Sequence, residues 1–145
     1  MYTHLLIAID DSVLAHGALE QGVALAKVLN AKVTVVTVTE PWHAVVAGDA
    51  VVGFPVDDFE KSNAAWAADI LNKAEGAARQ ADVPCRTVHV KDSYAAEGIL
   101  ETAQNEGCDL IVMASHGRRG VTRLLLGSQT NEVLSRSSIP VLVCR

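Results

Sequence analysis

The sequence predicts an α/β fold in which helices cover both faces of a doubly wound parallel sheet. Short apolar segments alternate along the chain with longer segments of helical periodicity. Two apolar segments, LLIAI at Leu5–Ile9 and LIVM at Leu110–Met113, carry no polar residue on either face. Such segments are typical of central parallel strands buried between two helical layers.

Size and charge restrict the classes of protein. With 145 residues, the chain is expected to form a single domain spanning residues 1–145. A formal net charge of -5 argues against general binding to nucleic acids or anionic membranes. The first apolar segment is too short for a signal peptide or a membrane span.

The cysteines also bear on the cellular compartment. Cys85, Cys108 and Cys144 are odd in number and widely spaced, so they predict neither a disulfide framework nor a paired metal site. A reducing, cytoplasmic setting is therefore expected. The histidines are scattered without zinc-site spacing, so no zinc site is predicted.

The first half of the chain predicts two strands around one helix. Strand one, Leu5–Ile9, stops at Asp10, and Asp11 or Ser12 can cap a helix that Asn30 closes. Strand two follows at Lys32–Val38.

A long segment without clear periodicity follows, from Thr39 to about Asp58. Loops of this length are uncommon in compact domains unless they serve as lids or binding loops. Two interpretations remain open: a mobile flap or partner surface, and an insertion without a role.

The second half predicts two more helix and strand pairs. A helix from Phe59 to Ala81, with Phe59 and Trp66 facing the core, ends before Pro84. Strand three, Cys85–Val90, precedes a helix at Tyr94–Asn105, which Gly107 terminates. Strand four is DLIVMA, which ends at Ala114, and the last strand lies in IPVLVCR, which ends the sequence.

The loop after strand four predicts a phosphate cradle. Glycines let a backbone approach a ligand closely, and the amides at the start of a helix attract anions. Ser128 can start that helix, either as an N-cap, as a phosphate donor or as both. The loop matches neither a Walker motif nor GxGxxG. The loop contains the glycines Gly117, Gly120 and Gly127 and the arginines Arg118, Arg119 and Arg123. Two interpretations of the arginines remain open: side chains exposed to solvent, and side chains that bind phosphate or a second copy of the chain.

The two most apolar strands are expected to be neighbours at the centre of the sheet. Ligands of doubly wound sheets bind where neighbouring strands send their helices to opposite faces. Asp10 and Gly117 would then share one crevice. Because Asp11 and Ser12 already supply a helix cap, Asp10 is not needed as a cap and is predicted to contact the ligand. The alternative is that Asp10 is an acidic turn residue exposed to solvent.

These residues resemble the universal stress protein family, in particular its ATP-binding branch. The family motif is glycine, two residues, glycine, nine residues, and glycine with serine or threonine. Here it is matched by Gly117, Gly127 and Ser128, whereas Ala114 replaces the first glycine. The resemblance extends over LLIAIDDS at the start and SSIPVLVCR at the end.

The resemblance implies strand order 3-2-1-4-5, an ATP molecule with magnesium between strands one and four, and a homodimer joined through the last strand. Asp10 would lie near the ribose or a magnesium ion, Val38 near the adenine, and Met113 and Ala114 beneath the ribose. The phosphates would be held by Gly117, Gly127, Ser128, Gln129 and Thr130. The implied nucleotide-binding residues are Ala8, Ile9, Asp10, Val38, Met113, Ala114, Gly117, Gly127, Ser128, Gln129 and Thr130. The free edge of the apolar last strand independently favours pairing with a second copy, unless that strand is buried within the monomer.

Catalysis is not predicted. His116 follows Ser115, but adjacent loop residues rarely face each other, and a nucleophilic pair needs a third, orienting group. No residue stands out to orient a water for hydrolysis. The expected function is a nucleotide-dependent regulator or interaction module in stress adaptation. The alternatives are a slow ATP hydrolase, an adenylyl-transferring enzyme, and an interaction protein of the same fold that binds no nucleotide.

Overall fold

The computed structural model describes residues 1–41, 56–117 and 125–145. Its strands form one parallel sheet in the order β3-β2-β1-β4-β5. The strands are β1 (His4–Ala8), β2 (Lys32–Val38), β3 (Cys85–Val90), β4 (Leu110–Ala114) and β5 (Val141–Cys144). The described helices are α1 (Val13–Leu29), α2 (Val56–Gln80), α3 (Ala95–Asn105) and α4 (Ser128–Arg136). The predicted fold class and strand order are confirmed.

Strands β1 and β4 are adjacent, as the sequence predicts. Leu6 pairs with Ile111 and Ile7 with Val112, in parallel register. All four side chains are fully buried. Because parallel strands end at the same edge of a sheet, this register brings the residues after Ala8 next to those after Ala114.

The sheet separates two hydrophobic layers. On one face, α1 and α2 pack against Leu5, Ile7 and Val112, whose side chains are all buried. On the other face, α3 and α4 pack against Leu6 and Ile111. Helices therefore cover both sides, and their ends surround the carboxyl edge of the sheet.

Local capping fixes several helix ends where the sequence places them. The Ser12 side chain accepts a hydrogen bond from the Ala15 amide, so Ser12 rather than Asp11 caps α1. Asn30 adopts a left-handed conformation with φ 56°, and Gly107 closes α3 with φ 68°.

The predicted end of the long loop at Asp58 is wrong. Helix α2 already begins at Val56, with Asp57 and Asp58 in its first turn. Acidic residues are favoured there because they interact with the positive end of the helix dipole. The rest of the predicted flap, residues 42–55, lies outside the described residues.

A carboxylate fixes the start of β1 against β4. Asp109 accepts hydrogen bonds from the Thr3 amide at 2.8 Å, the Thr3 hydroxyl at 3.0 Å and the His4 amide at 3.0 Å. Burial alone would raise the pKa of Asp109, but these hydrogen bonds outweigh it and lower the pKa below its ordinary value. These hydrogen bonds hold the register of β1 on β4, which places Asp10 beside the end of β4.

The described parts of the chain contain no helix with the length and apolarity that a membrane span needs. The three cysteines are free thiols. Burial is the main cause that raises the pKa of Cys85 and of Cys108 to about 11, which keeps both thiols protonated at neutral pH.

Among the strands of the described residues, β5 lies at the edge of the sheet. The carbonyls of Pro140 and Cys144 accept hydrogen bonds from Ile111 and Ser115 on the β4 side. Because successive peptide groups of a strand point in opposite directions, Val141 and Val143 direct theirs away from β4.

Candidate ligand-binding site

A cavity of about 570 Å³ opens at the carboxyl ends of the strands. It lies where β1 and β4 direct the chain to helices on opposite faces, which is the ligand position in doubly wound sheets. All eleven residues that the family resemblance implies line it: Ala8, Ile9, Asp10, Val38, Met113, Ala114, Gly117, Gly127, Ser128, Gln129 and Thr130.

The carboxylate of Asp10 stands between the β1 turn and the β4 loop. Its Oδ1 atom accepts a hydrogen bond of 2.9 Å from the Ser12 amide. Ser12 supplies the helix cap, so Asp10 is not needed as a cap, and one of its oxygens supports the turn instead. The other oxygen, Oδ2, lies 2.9 Å from the position that a Cβ atom on Gly117 would take. A side chain at position 117 would therefore require the Asp10 carboxylate to shift.

The N-terminus of α4 borders the same cavity. Gly127, not Ser128, is the N-cap, and no side chain caps this end. The Asn131 amide makes the first intrahelical bond, to the Gly127 carbonyl at 3.0 Å. The three preceding amides, of residues 128–130, thus come before the helical hydrogen-bond ladder and supply the partial positive charge of a helix start.

The side chains of two predicted phosphate residues have other partners. Gln129 Oε1 accepts a hydrogen bond of 2.9 Å from the Ala96 amide and so covers the start of α3. The Thr130 hydroxyl is buried and donates to the Ala114 carbonyl at 3.0 Å. Their side chains hold the cavity wall together, which leaves their backbone amides as the groups available to an anion.

Ser115 and His116 do face each other, contrary to the expectation for adjacent loop residues. Ser115 Oγ lies 3.1 Å from His116 Nδ1, and both side chains are buried. The Ser115 main chain is fixed on both sides, since its amide donates to Cys144 and its carbonyl accepts from Gly127, each at 2.8 Å. The imidazole of His116 lines the cavity beside Gly117.

Another part of the cavity is apolar. Val36 and Val38 from β2, Ile99 from α3 and Met113 from β4 line it. Thr39 also lines the cavity, and its hydroxyl lies 2.9 Å from His89 Nε2. Burial, with a smaller contribution from Lys91, lowers the pKa of His89, so the neutral ring is favoured. A cavity with one apolar and one anion-attracting end suits an amphiphilic ligand.

Sequence reasoning missed the wall that α2 contributes. Phe59, Asn63 and Trp66 line the cavity, whereas the periodicity predicts only that the two aromatic residues face the core, against which Trp66 also packs. Trp66 is anchored, because its indole Nε1 donates to Asp11 Oδ2 at 3.1 Å. The sequence does contain one indication of this wall: Asn63 is a polar residue on the same helix face as Phe59 and Trp66, which is otherwise apolar.

Two further predictions concern the surroundings of the cavity. Gly120, Arg118, Arg119 and Arg123 lie outside the described residues. Among the residues that the structure describes, no three His, Cys, Asp or Glu side chains converge to hold a metal ion.

Sequence comparison relates the whole chain to known proteins. A sequence model of the universal stress protein family matches residues 1–145. The universal stress protein YxiE of Bacillus subtilis is 30% identical over 151 aligned positions, which cover 100% of both chains.

Structural comparison gives the same fold. MJ0577 of Methanocaldococcus jannaschii has a TM-score of 0.84 with 24% identity, covering 99% of this chain and 96% of its own. A universal stress protein from Archaeoglobus fulgidus, solved in complex with dAMP, has a TM-score of 0.71 with 16% identity, covering 99% and 98% of the two chains.

Proposed function

Because the chain belongs to the universal stress protein family, we propose that its cavity binds ATP together with magnesium. The bound nucleotide acts as a regulatory ligand that biases an interaction of the protein in stress adaptation. We further propose that the protein acts as a single domain in the cytoplasm. Turnover is expected to be slow or absent, because no residue of the sequence stands out to orient a water for attack on a phosphate.

The observation that carries the proposal is the convergence of Asp10, Gly117 and the uncapped start of α4 on one cavity. A triphosphate needs donors and an unobstructed backbone approach, and the amides of residues 128–130 and Gly117 supply them. The apolar end near Val38 and Met113 suits a purine. The dAMP complex of the Archaeoglobus fulgidus relative supports an adenine nucleotide as the ligand class.

The residues present fit magnesium only as a companion of the nucleotide. Mg²⁺ commonly takes one or two carboxylates and completes its coordination with phosphate oxygens and water. Asp10 is a carboxylate in the cavity, and its Oδ1 already supports the Ser12 amide. When bound, the ion would neutralise phosphate charge, and Asp10 would hold it.

The proposal is tested on the protein as purified. Native mass spectrometry is expected to detect a co-purified adenine nucleotide, or isothermal titration calorimetry of nucleotide-free protein to detect one ATP per chain in the presence of magnesium. EDTA should weaken that affinity because the ion screens phosphate charge. A protein that neither carries nor binds ATP would contradict the proposal and favour the interaction module without nucleotide.

We also propose that two copies pair through β5. Val141 and Val143 direct their peptide groups away from β4, and Leu142 on the same strand is 39% exposed. An edge of this kind is stabilised when a second strand completes its hydrogen bonds.

Val143→Pro is expected to give a monomer. Proline removes the outward amide without removing a hydrogen bond to β4. Light scattering after size-exclusion chromatography measures the mass, and Val143→Thr, which keeps the amide, serves as the control and should remain dimeric. A dimer that survives Val143→Pro would contradict pairing through this edge.

A further inference from the structure

Helix α2 forms a wall of the cavity that the family motif does not include. Phe59, Asn63 and Trp66 line the cavity, and spacings of four and three residues place them on one helix face. Farther along the helix, the same side continues as buried Ile70 and Ala74 in the core. This side of α2 therefore carries aliphatic residues where it covers the sheet, and two aromatic rings and one carboxamide where it borders the cavity.

The α2 wall lies away from the α4 end of the cavity. Helix α2 contacts β2, β3 and α1, whereas α4 contacts α3 on the opposite face of the sheet. If the phosphates lie at the start of α4, α2 faces the part of the ligand that lies toward the end of β2. Thr39 lines the cavity there. The Val38 side chain packs on the other face of the sheet, against α3, so a base at the end of β2 would lie between Val38 and the α2 wall.

The wall is preorganised. The indole of Trp66 is held by Asp11 at 3.1 Å, and Asp11 directly follows Asp10 in the turn after β1. The helix is also fixed by the buried residues Ala67 and Leu71, which belong to the core. Side chains that are already ordered lose little entropy when a ligand binds, so such a wall favours affinity.

We propose that the α2 wall selects the base of the bound nucleotide, with Asn63 as the specificity-determining residue. This inference rests on the proposed function. Aromatic rings stack on any base, so Phe59 and Trp66 contribute affinity without discrimination. A carboxamide offers a donor and an acceptor side by side. Adenine presents an N6 donor beside its N7 acceptor, whereas guanine presents two acceptors on that edge, N7 and O6.

Calorimetry of the wild type and two variants with three ligands tests the inference. The proteins are the wild type, Asn63→Leu, and the matched control Asn72→Leu, which makes the same substitution on the exposed side of α2. The ligands are ATP, GTP and inorganic tripolyphosphate, each with magnesium. Asn63→Leu should weaken ATP binding about tenfold, as expected for one lost hydrogen bond. Its affinities for GTP and tripolyphosphate, and all affinities of Asn72→Leu, should stay within about twofold of the wild type.

The outcomes separate the inference from the function on which it rests. Equal ATP affinity in the wild type and Asn63→Leu would overturn the role of Asn63 and leave ATP binding intact. A parallel loss for all three ligands would also overturn it, because the substitution would then have damaged the cavity as a whole. If the wild type binds none of the ligands, the proposed function fails, and the inference fails with it.

Discussion

Replacing Gly117 with valine is expected to abolish ATP binding while the protein stays folded. A Cβ atom at this position would lie 2.9 Å from Asp10 Oδ2, closer than such atoms approach in proteins. The two methyl groups beyond it would add bulk to the cavity wall beside Asp10. The expected loss is at least about 100-fold in affinity, or roughly 3 kcal/mol, measured by calorimetry with ATP and magnesium.

Gly76→Val provides the matched control. Gly76 lies within α2, and no atom outside its local backbone comes within 4 Å of a Cβ built there. This variant should bind ATP like the wild type, and circular dichroism should show both variants folded. Unchanged affinity in a folded Gly117→Val protein would refute the assignment of Gly117 to the phosphate site.

Replacing Gly22 with valine is expected to destabilise the protein by about 3 kcal/mol, the upper part of the range for an overpacked core. Gly22 lies on the buried face of α1, where a Cβ atom would be 2.6 Å from Ile7 Cδ1 and 3.4 Å from Val112 Cγ1. Both neighbours are fully buried on the two central strands, so they have little space to move. Urea denaturation measures the free energy of unfolding.

Two further variants identify the cause of that loss. Gly17 lies on the same helix, with open space around the position of a Cβ atom. The free energy of unfolding of Gly17→Val should therefore differ from that of the wild type by less than about 0.5 kcal/mol. Combining Gly22→Val with Ile7→Val removes the closest atom and should recover part of the stability, so that the two effects are not additive. Equal losses at Gly17 and Gly22 would instead indicate a general effect of valine in α1.

The topology could be predicted because it depends on patterns that lie within single segments. Leu5–Ile9 and Leu110–Met113 carry no polar residue on either face, and this indicated that they are central. The structure places β1 and β4 side by side. Asp10 and Gly117 then meet at the sheet edge without any further information from the sequence.

The wall of the cavity could not be predicted in the same way. Periodicity identifies the face of a helix that packs inward, but it does not say how far the helix extends beyond the sheet. The periodicity therefore predicts that Phe59 and Trp66 face the core; Trp66 does pack against it, but both residues line the cavity. The sequence pattern predicts too late a start for α2, because it leaves Asp57 and Asp58 in the loop, whereas they form part of the first helical turn.

Side-chain partners from distant segments were also beyond the sequence. Gln129 was expected at the phosphates, but its side-chain oxygen accepts from Ala96, a residue 33 positions earlier. The Thr130 hydroxyl donates to Ala114 across the loop. Pairings of this kind depend on the final packing of helices, which no local pattern records.

Ser115 joins two regions of the molecule through its own peptide groups. Its amide is bonded to Cys144 on the edge strand, and its carbonyl is bonded to Gly127 at the start of α4. A shift of one bonded neighbour must therefore be absorbed at the other. A ligand in the cavity and a second chain at the edge strand can both favour the same arrangement of Ser115. Binding of the ligand then raises the affinity for the second chain, and binding of the second chain raises the affinity for the ligand by the same factor.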